Sequence, residues 1–168
     1  MKNIKWIALC LALAAFTACK KDGFGGLTNA QPDVPVTVSN IYGIYTYPVI
    51  FTSLSGGGAI SITLNIPAST GRKIKEITRV AAGTSGTNYK SVEVTTGLYN
   101  TAPIAGSGTS VTFNTSLAEY TSKTGLAAPS AAAAGSTTSF LARYFFFMIT
   151  LDNGQVLIPE PVRVYVGP

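Results

Sequence analysis

The sequence predicts an all-β protein, an antiparallel sandwich of about seven or eight short strands. The chain is rich in Thr, Tyr and Val, with 17 Gly and 9 Pro between its apolar segments. Stretches that alternate apolar and polar residues are separated by turn residues at intervals of about ten. With 46% hydrophobic and only 11% charged residues, the composition excludes a disordered chain, which needs low hydrophobicity and high charge.

The N-terminus has the pattern of an export signal. Lys2 and Lys5 precede an uncharged apolar run, 6–18, which is shorter than the roughly 20 residues that span a bilayer. A basic start followed by a short apolar run is typical of a signal peptide. The run ends in Ala18-Cys19, and Lys20-Lys21-Asp22 follows.

This ending resembles the signal of bacterial surface lipoproteins of the Bacteroidota, in which a small residue precedes a lipidated cysteine. The resemblance implies a signal peptide at 1–18, lipidation of Cys19 and attachment to the outer membrane. Charged residues directly after the cysteine are associated in that group with export to the cell surface. A plain secretory signal with an incidental cysteine is the alternative.

The predicted mature chain begins with lipidated Cys19 and a Gly-containing flexible tether, 19–33, and continues as a β-sandwich domain, 34–168. Apolar residues alternate in 34–39, the first predicted strand. The stretch 44–51 predicts the second, with Tyr45, Tyr47, Val49 and Phe51 on one face. Pro48 indicates an edge strand or a change of sheet.

The middle of the domain predicts four more strands. They are 60–66, 73–82, 90–95 and 110–116. The first has the clearest alternation, with Ile62 and Leu64 on the core face. In 90–95 the alternation predicts that Val92 and Val94 are buried and Glu93 is exposed.

The last third predicts a hairpin. The strand 143–151 is apolar on both faces, which is typical of a central strand covered on both sides. Asn153-Gly154 predicts a tight type I′ turn, and 155–166 returns with interruptions at Pro159 and Pro161. An Ala/Ser/Thr-rich insertion, 120–139, precedes the hairpin and has room for one helical turn.

This closing hairpin resembles the end of an immunoglobulin-like or fibronectin-type-III-like domain. The resemblance implies an immunoglobulin-like β-sandwich.

The residues available for chemistry predict no catalytic, metal or cofactor site. The chain has no histidine, which removes most general-base, triad and zinc chemistry. Cys10 would leave with the signal peptide and Cys19 would carry lipid, so the domain would have no thiol. No Ser lies three residues before a Lys, as the Ser-x-x-Lys nucleophile requires. Loss of Lys2 and Lys5 with the signal peptide would reduce the net charge from +5 to +3, which is too modest for a nucleic-acid footprint.

Two groups of residues are candidates for binding. Tyr42, Tyr89 and Tyr99 are possible ligand-binding aromatics, because exposed rings stack on sugars and anchor protein interfaces; the alternative is that they belong to the core. A cluster of basic residues is the second candidate, for contact with an anionic surface. The alternative is that these residues lie on a solvated strand edge, where Lys discourages edge-to-edge pairing. The members of the cluster are Arg72, Lys73, Lys75 and Arg79.

The sequence therefore predicts a non-catalytic protein of the cell envelope, anchored to the membrane through Cys19. Its function would be that of a protein-interaction or structural accessory module, with another envelope protein as partner. The alternative is a glycan-binding accessory lipoprotein of a polysaccharide-capture system. Because sugar sites usually combine aromatics with polar and acidic residues, the scarcity of acids favours the first.

Overall fold

A computed structural model of the chain describes residues 33–44, 46–130 and 139–168. The predicted signal peptide, Cys19 and the tether up to residue 32 lie outside the described residues. Tyr45 and positions 131–138 of the predicted insertion lie outside them as well. Val34–Pro168 form one compact unit.

The described residues are mostly β-strand, as the sequence predicts. The strands are β1 Thr37–Val38, β2 Gly43–Ile44, β3 Pro48–Ser53, β4 Ala59–Asn65, β5 Ile74–Gly83, β6 Ile104–Ala105, β7 Ser110–Ser116, β8 Tyr144–Leu151, β9 Val156–Leu157 and β10 Arg163–Gly167. Two short helices are α1, Lys90–Glu93, and α2, Leu117–Thr124.

The strands form three hydrogen-bonded groups, ordered β1-β4-β7, β6-β5-β8-β9 and β10-β3-β2. All pairs within them are antiparallel except β3 and β10, which run parallel in a register that places Phe51 opposite Tyr165. An isolated bridge between Phe145 and Val162 connects β8 to the segment that leads into β10. The all-β prediction is therefore confirmed.

The main core lies between the β4–β7 pair and the β5–β8 pair. Strict alternation in β4 turns Ile60, Ile62 and Leu64 inward, where each is at most 1% exposed. Phe113 of β7 meets β8 from the opposite side, with its ring centroid 5.5 Å from that of Phe145. The predicted strand at 60–66 and its core face are confirmed.

Strand β8 is buried on both faces, which confirms its prediction as a central strand. Phe145 and Phe147 belong to the main core. Phe146 faces the other way, into a second cluster with Ala81 and Val92. Since Val92 belongs to α1, the segment that contains this helix covers the outer face of β8.

The prediction of a strand at 90–95 is wrong. Lys90–Glu93 form a single helical turn in which the Val92 amide donates to the Tyr89 carbonyl at 3.2 Å. Val92 is fully buried but Val94 is 48% exposed. The alternation was too short to determine the structure, because the Ser91 hydroxyl bonds back to the Asn88 carbonyl at 2.8 Å and favours a turn.

The hairpin between β8 and β9 forms, but its turn is not type I′. Gly154 has φ +85°, and no other described residue except glycine has positive φ. The Gly154 amide donates to the Leu151 carbonyl, and the Leu151 amide donates to the Gln155 carbonyl. This is the pattern of a three-residue loop with glycine in the left-handed position. Beyond β9, the interruption predicted at Pro159 and Pro161 separates β9 from β10.

The helix α2 starts before the predicted insertion and is longer than the one turn that the sequence suggested. Ser116 caps it by accepting a hydrogen bond from the Glu119 amide at 3.1 Å. Gly125 ends it in the left-handed conformation, with φ +72°. Leu117 and Tyr120 are buried, so the helix belongs to the main core.

Candidate functional site

The most prominent surface of the described residues is a group of aromatic rings on the outer side of β3 and β10. Val164 and Val166 point into the core and are fully buried, so Arg163 and Tyr165 point outward. We call this surface the aromatic face. Its residues are Tyr42, Phe51, Phe140, Tyr144 and Tyr165, with Arg163 among them.

The parallel pairing of β3 with β10 assembles this face. Phe51 lies opposite Tyr165 in the register, and their ring centroids are 6.3 Å apart. Tyr42 joins them because its amide donates to the Val49 carbonyl at 2.7 Å. Phe140 reaches Tyr165 through an isolated bridge, with centroids 5.3 Å apart.

Two of these rings remain widely open to solvent. Tyr42 is 61% exposed and Phe51 is 46% exposed. The Phe51 ring lies over Gly167, where an added Cβ would collide with it. The absence of a side chain at Gly167 therefore lets the ring lie close to the sheet. As the alternation predicts, Val49 and Phe51 lie on one face of β3, opposite the buried Ile50 of the main core. On this outer face Val49 is covered, whereas Phe51 is exposed.

Arg163 is the cation of the aromatic face. Its guanidinium carbon lies 3.9 Å from the Phe140 ring centroid and 5.1 Å from that of Tyr144. Such stacking on ring faces is attractive because of the ring quadrupole. Its Nε is buried and has no hydrogen-bond partner in the described part of the chain. The face therefore combines flat apolar surface with a positive charge.

An apolar cavity of about 260 Å³ lies between β1 and β2. Ile41 and Ile44, the neighbours of Tyr42 and Gly43, line it and are 42% and 74% exposed. Glu160 is the single charged residue among the described lining residues. None of the described lining residues belongs to the aromatic face.

The three tyrosines predicted as ligand-binding residues lie in different environments. Tyr42 is exposed on the aromatic face. Tyr89 is half-buried, with its ring edge-to-face against Phe146 at 5.6 Å. Burial raises the pKa of the Tyr89 hydroxyl, and Tyr47 and Glu160 raise it further.

Tyr99 does not lie on an exposed binding surface. It is 4% exposed, and its ring packs edge-to-face against Phe113 and Phe145 at 5.7 and 5.3 Å. Burial raises the pKa of its hydroxyl, which lies 2.7 Å from the Thr115 hydroxyl. Aromatic residues in a β-rich chain fill the core as readily as the surface, which is why the sequence could not separate Tyr99 from Tyr42.

The predicted basic cluster is only partly assembled. Arg72, Lys73 and Lys75 are exposed at the start of β5. Arg79 is half-buried, and its guanidinium donates to the Glu93 carbonyl at 2.6 Å, at the end of α1. The Arg79 side chain therefore stabilises the segment that contains α1. The other three cations, Arg72, Lys73 and Lys75, remain for contact with an anionic surface.

The aromatic face contains residues that the sequence did not single out, namely Phe51, Phe140, Tyr144, Arg163 and Tyr165. The alternation in 162–166 was a usable signal, because it places Arg163 and Tyr165 on the side opposite the buried valines.

Among the described residues no group of three or more His, Cys, Asp or Glu side chains is placed to hold a metal ion. No helix in 33–44, 46–130 or 139–168 is long and apolar enough to cross a bilayer.

Comparison with protein-family models, with curated proteins and with solved structures gave no match for this chain.

Proposed function

We propose that this protein is a non-catalytic accessory module of the cell envelope that binds a partner protein through its aromatic face. The observation that carries the proposal is the exposure of Tyr42 and Phe51 within a larger group of rings. Tyr, Phe and Arg are enriched in the centres of protein interfaces, whereas Lys and Glu are depleted. Contiguous exposed apolar surface on a folded domain commonly marks an interaction site.

The proposed architecture is an immunoglobulin-like sandwich. Its support is the strand order: β1-β4-β7 in one layer, and β6-β5-β8 in a second layer that continues through Val162 to β10 and β3. Successive strands β4 and β5, and again β7 and β8, lie in different layers, as Greek-key connections require. Such a sandwich would place the aromatic face on the outer surface of the second layer.

The proposed location is the outer membrane, with a lipid on Cys19 and the domain at the cell surface. This part of the proposal rests on the signal-like N-terminus, whose apolar run ends at Ala18-Cys19. A lipid anchor would hold the domain near other envelope proteins and so raise their effective concentration.

A glycan is the second candidate ligand, and one observation favours it. The rings of Tyr42 and Tyr165 are nearly parallel, with an interplanar angle of 12° and centroids 5.9 Å apart. Parallel rings offer flat apolar surface on which sugar rings can stack. Protein contact remains the first candidate, since among the described residues no carboxylate forms an ion pair with a residue of the aromatic face.

The experiment places a photo-crosslinking amino acid at position 42 of the full-length protein in its native cells. The matched control is position 156, because Val156 is similarly exposed at 52% but lies on β9, outside the aromatic face. We expect a protease-sensitive adduct of discrete mass from position 42 and none from position 156. The adduct should disappear when Phe51→Ala and Tyr165→Ala are combined with the crosslinker.

A polysaccharide ligand would give a different result. Electrophoresis through gels that contain envelope polysaccharide would then retard the protein, and Tyr42→Ala would abolish the retardation. If neither the adduct nor the retardation depends on Tyr42, Phe51 or Tyr165, the aromatic face is not the binding surface and the proposal fails.

A further inference from the structure

A second cavity, of about 170 Å³, lies beside α2. Lys123 and Thr124 from the last turn of the helix, Tyr99, and Arg143 from the residue before β8 contribute to its wall. A water molecule occupies about 30 Å³ in the liquid, so the cavity has room for a group of several heavy atoms. None of its described lining residues belongs to the aromatic face.

Lys123 brings a positive charge to this cavity with its ammonium group partly satisfied. Its Nζ lies 2.7 Å from Glu119 Oε1 and donates to the Tyr99 carbonyl at 2.6 Å. A lysine ammonium has three N–H donors. One donor therefore remains for a ligand.

Arg143 brings a second positive charge, and this one has no counter-ion. Its Nε is buried without a hydrogen-bond partner among the described residues. The ion pair between Lys123 and Glu119 is the one salt bridge in the described part of the chain. No carboxylate neutralises the Arg143 guanidinium within the described residues, so an anion held at the cavity wall that Arg143 lines would compensate its charge.

The carboxylate that pairs with Lys123, that of Glu119, is already engaged. Glu119 accepts hydrogen bonds from Lys123 and from the Thr115 hydroxyl, the latter at 2.8 Å. The described lining residues include two cations, Lys123 and Arg143, and no carboxylate, so the charge at the cavity wall is positive. The parallel N–H donors of a guanidinium match the two oxygens of a carboxylate or phosphate.

We propose that this cavity is a binding site for an oxyanion, a carboxylate or a phosphate group, with Arg143 as its main charged partner and Lys123 as the second. The site is independent of the aromatic face and of the identity of any partner bound there. Both oxyanions share the chemistry that the site requires. A comparison of phosphate and carboxylate binding in solution decides which of the two groups the site prefers.

The test titrates the full-length protein, purified in a non-ionic detergent, with sodium phosphate and separately with sodium acetate. Sodium chloride at equal ionic strength is the reference. Backbone amide signals of Leu98 and Thr124 report on the cavity by NMR. We expect saturable shifts with at least one oxyanion, and the tighter of the two identifies the preferred group.

Variants connect the binding to the proposed residues. Arg143→Gln should weaken it at least about tenfold, since a charge-assisted hydrogen bond is lost. Arg143→Lys keeps the positive charge but loses the parallel N–H donors of the guanidinium, so this variant should bind the oxyanion with intermediate affinity. Arg72→Gln removes the same charge from an exposed position and should leave binding unchanged.

Two results would overturn the proposal. The first is an absence of saturable shifts in the unmodified protein beyond those that chloride causes. The second is equal weakening by Arg143→Gln and Arg72→Gln, because that would mean a general charge effect. Thermal unfolding of each variant establishes that it is folded at the temperature of the titration.

Discussion

At the level of single residues, Phe147 lies fully buried between the β4–β7 and β5–β8 pairs, with its ring centroid 5.6 Å from that of Phe113. Phe147→Ala should lower the free energy of unfolding by about 3–5 kcal/mol, because it removes apolar contacts and leaves a cavity. Thermal unfolding followed by circular dichroism should show a fall in Tm on the order of ten degrees.

Asn114→Ala is the control for Phe147→Ala. Asn114 is exposed on β7, so its removal should change stability by less than about 0.5 kcal/mol. Thr112 is less suitable, because its hydroxyl lies 3.0 Å from that of Thr63 on the neighbouring strand. Equal losses from Phe147→Ala and Asn114→Ala would contradict the core as described.

Glu119 predicts a small dependence of stability on acid pH. The hydrogen bond from Lys123, and then that from Thr115, lower the pKa of its carboxyl below the ordinary 4.5. A lowered folded-state pKa stabilises the fold above the ordinary value, and this contribution is lost as the pH falls through the lowered pKa. Because the side chain is 41% exposed, solvent screening keeps the effect small.

The measurement is Tm against pH for the unmodified protein and for Glu119→Gln. The unmodified protein should lose part of its advantage over the variant below about pH 4.5. Lys123→Gln is the companion variant, since it removes the largest cause of the lowered pKa. A Tm difference that does not change across this acid range would show that the carboxyl is not stabilised in the fold.

At the level of elements, substitutions in the loop of the β8–β9 hairpin distinguish a three-residue loop from a type I′ turn. Gly154 alone has positive φ in this loop, so Gly154→Ala should cost about 1–2 kcal/mol of stability. Asn153→Ala should cost less, because it removes only an exposed acceptor of the Gln155 amide, at 3.1 Å. Urea unfolding measures both. Equal costs would indicate the type I′ turn, which needs positive φ at both positions.

The strands that the sequence predicts well are long apolar-containing stretches bounded by turn residues. The stretches 60–66, 73–82 and 110–116 correspond to β4, β5 and β7 within one or two residues. In β4 and β7 the alternation specifies one apolar face and so one register, whereas β5 shifts its register twice against β8. In 90–95 the same rule failed, because two valines are too few to distinguish a strand from a turn.

The helix α2 had a sequence signal that the β pattern concealed. Ser116 and Glu119 have the spacing of a capping box, in which the first residue accepts from the amide of the fourth. Apolar Leu117 and Tyr120 then share the inner face of one helical turn. Ser116 is both the last residue of the predicted strand and the N-cap of the following helix, so the strand pattern concealed the cap.

The aromatic face could be predicted only in part. Alternation places Arg163 and Tyr165 on one side of their strand, and this is local information. Their meeting with Phe51 and Tyr42 depends on the pairing of β3 with β10, which are far apart in sequence. No local pattern specifies which distant strands pair. The burial of Tyr99 likewise depends on contacts with Phe113 and Phe145, which lie on other strands.

At the level of the whole molecule, the proposed lipid anchor predicts a change of location. Cys19→Ala should leave the protein without lipid and should release it from the membrane fraction, since one covalent lipid site provides the attachment. Immunoblotting of soluble and membrane fractions, with metabolic labelling by a fatty-acid analogue, measures both. Membrane sedimentation of the unlabelled variant equal to that of the unmodified protein would contradict lipid anchoring.

The parallel pairing of β3 and β10 also determines how the domain resists force. These strands lie near opposite ends of Val34–Pro168, and they run in the same direction. Tension applied between the two termini therefore pulls the strands past each other along their length. Their hydrogen bonds are loaded together in shear rather than broken one after another, as in the unzipping of a hairpin. After the two-residue strands β1 and β2 detach, we expect the pair β3–β10 to provide the main mechanical resistance of the domain to unfolding.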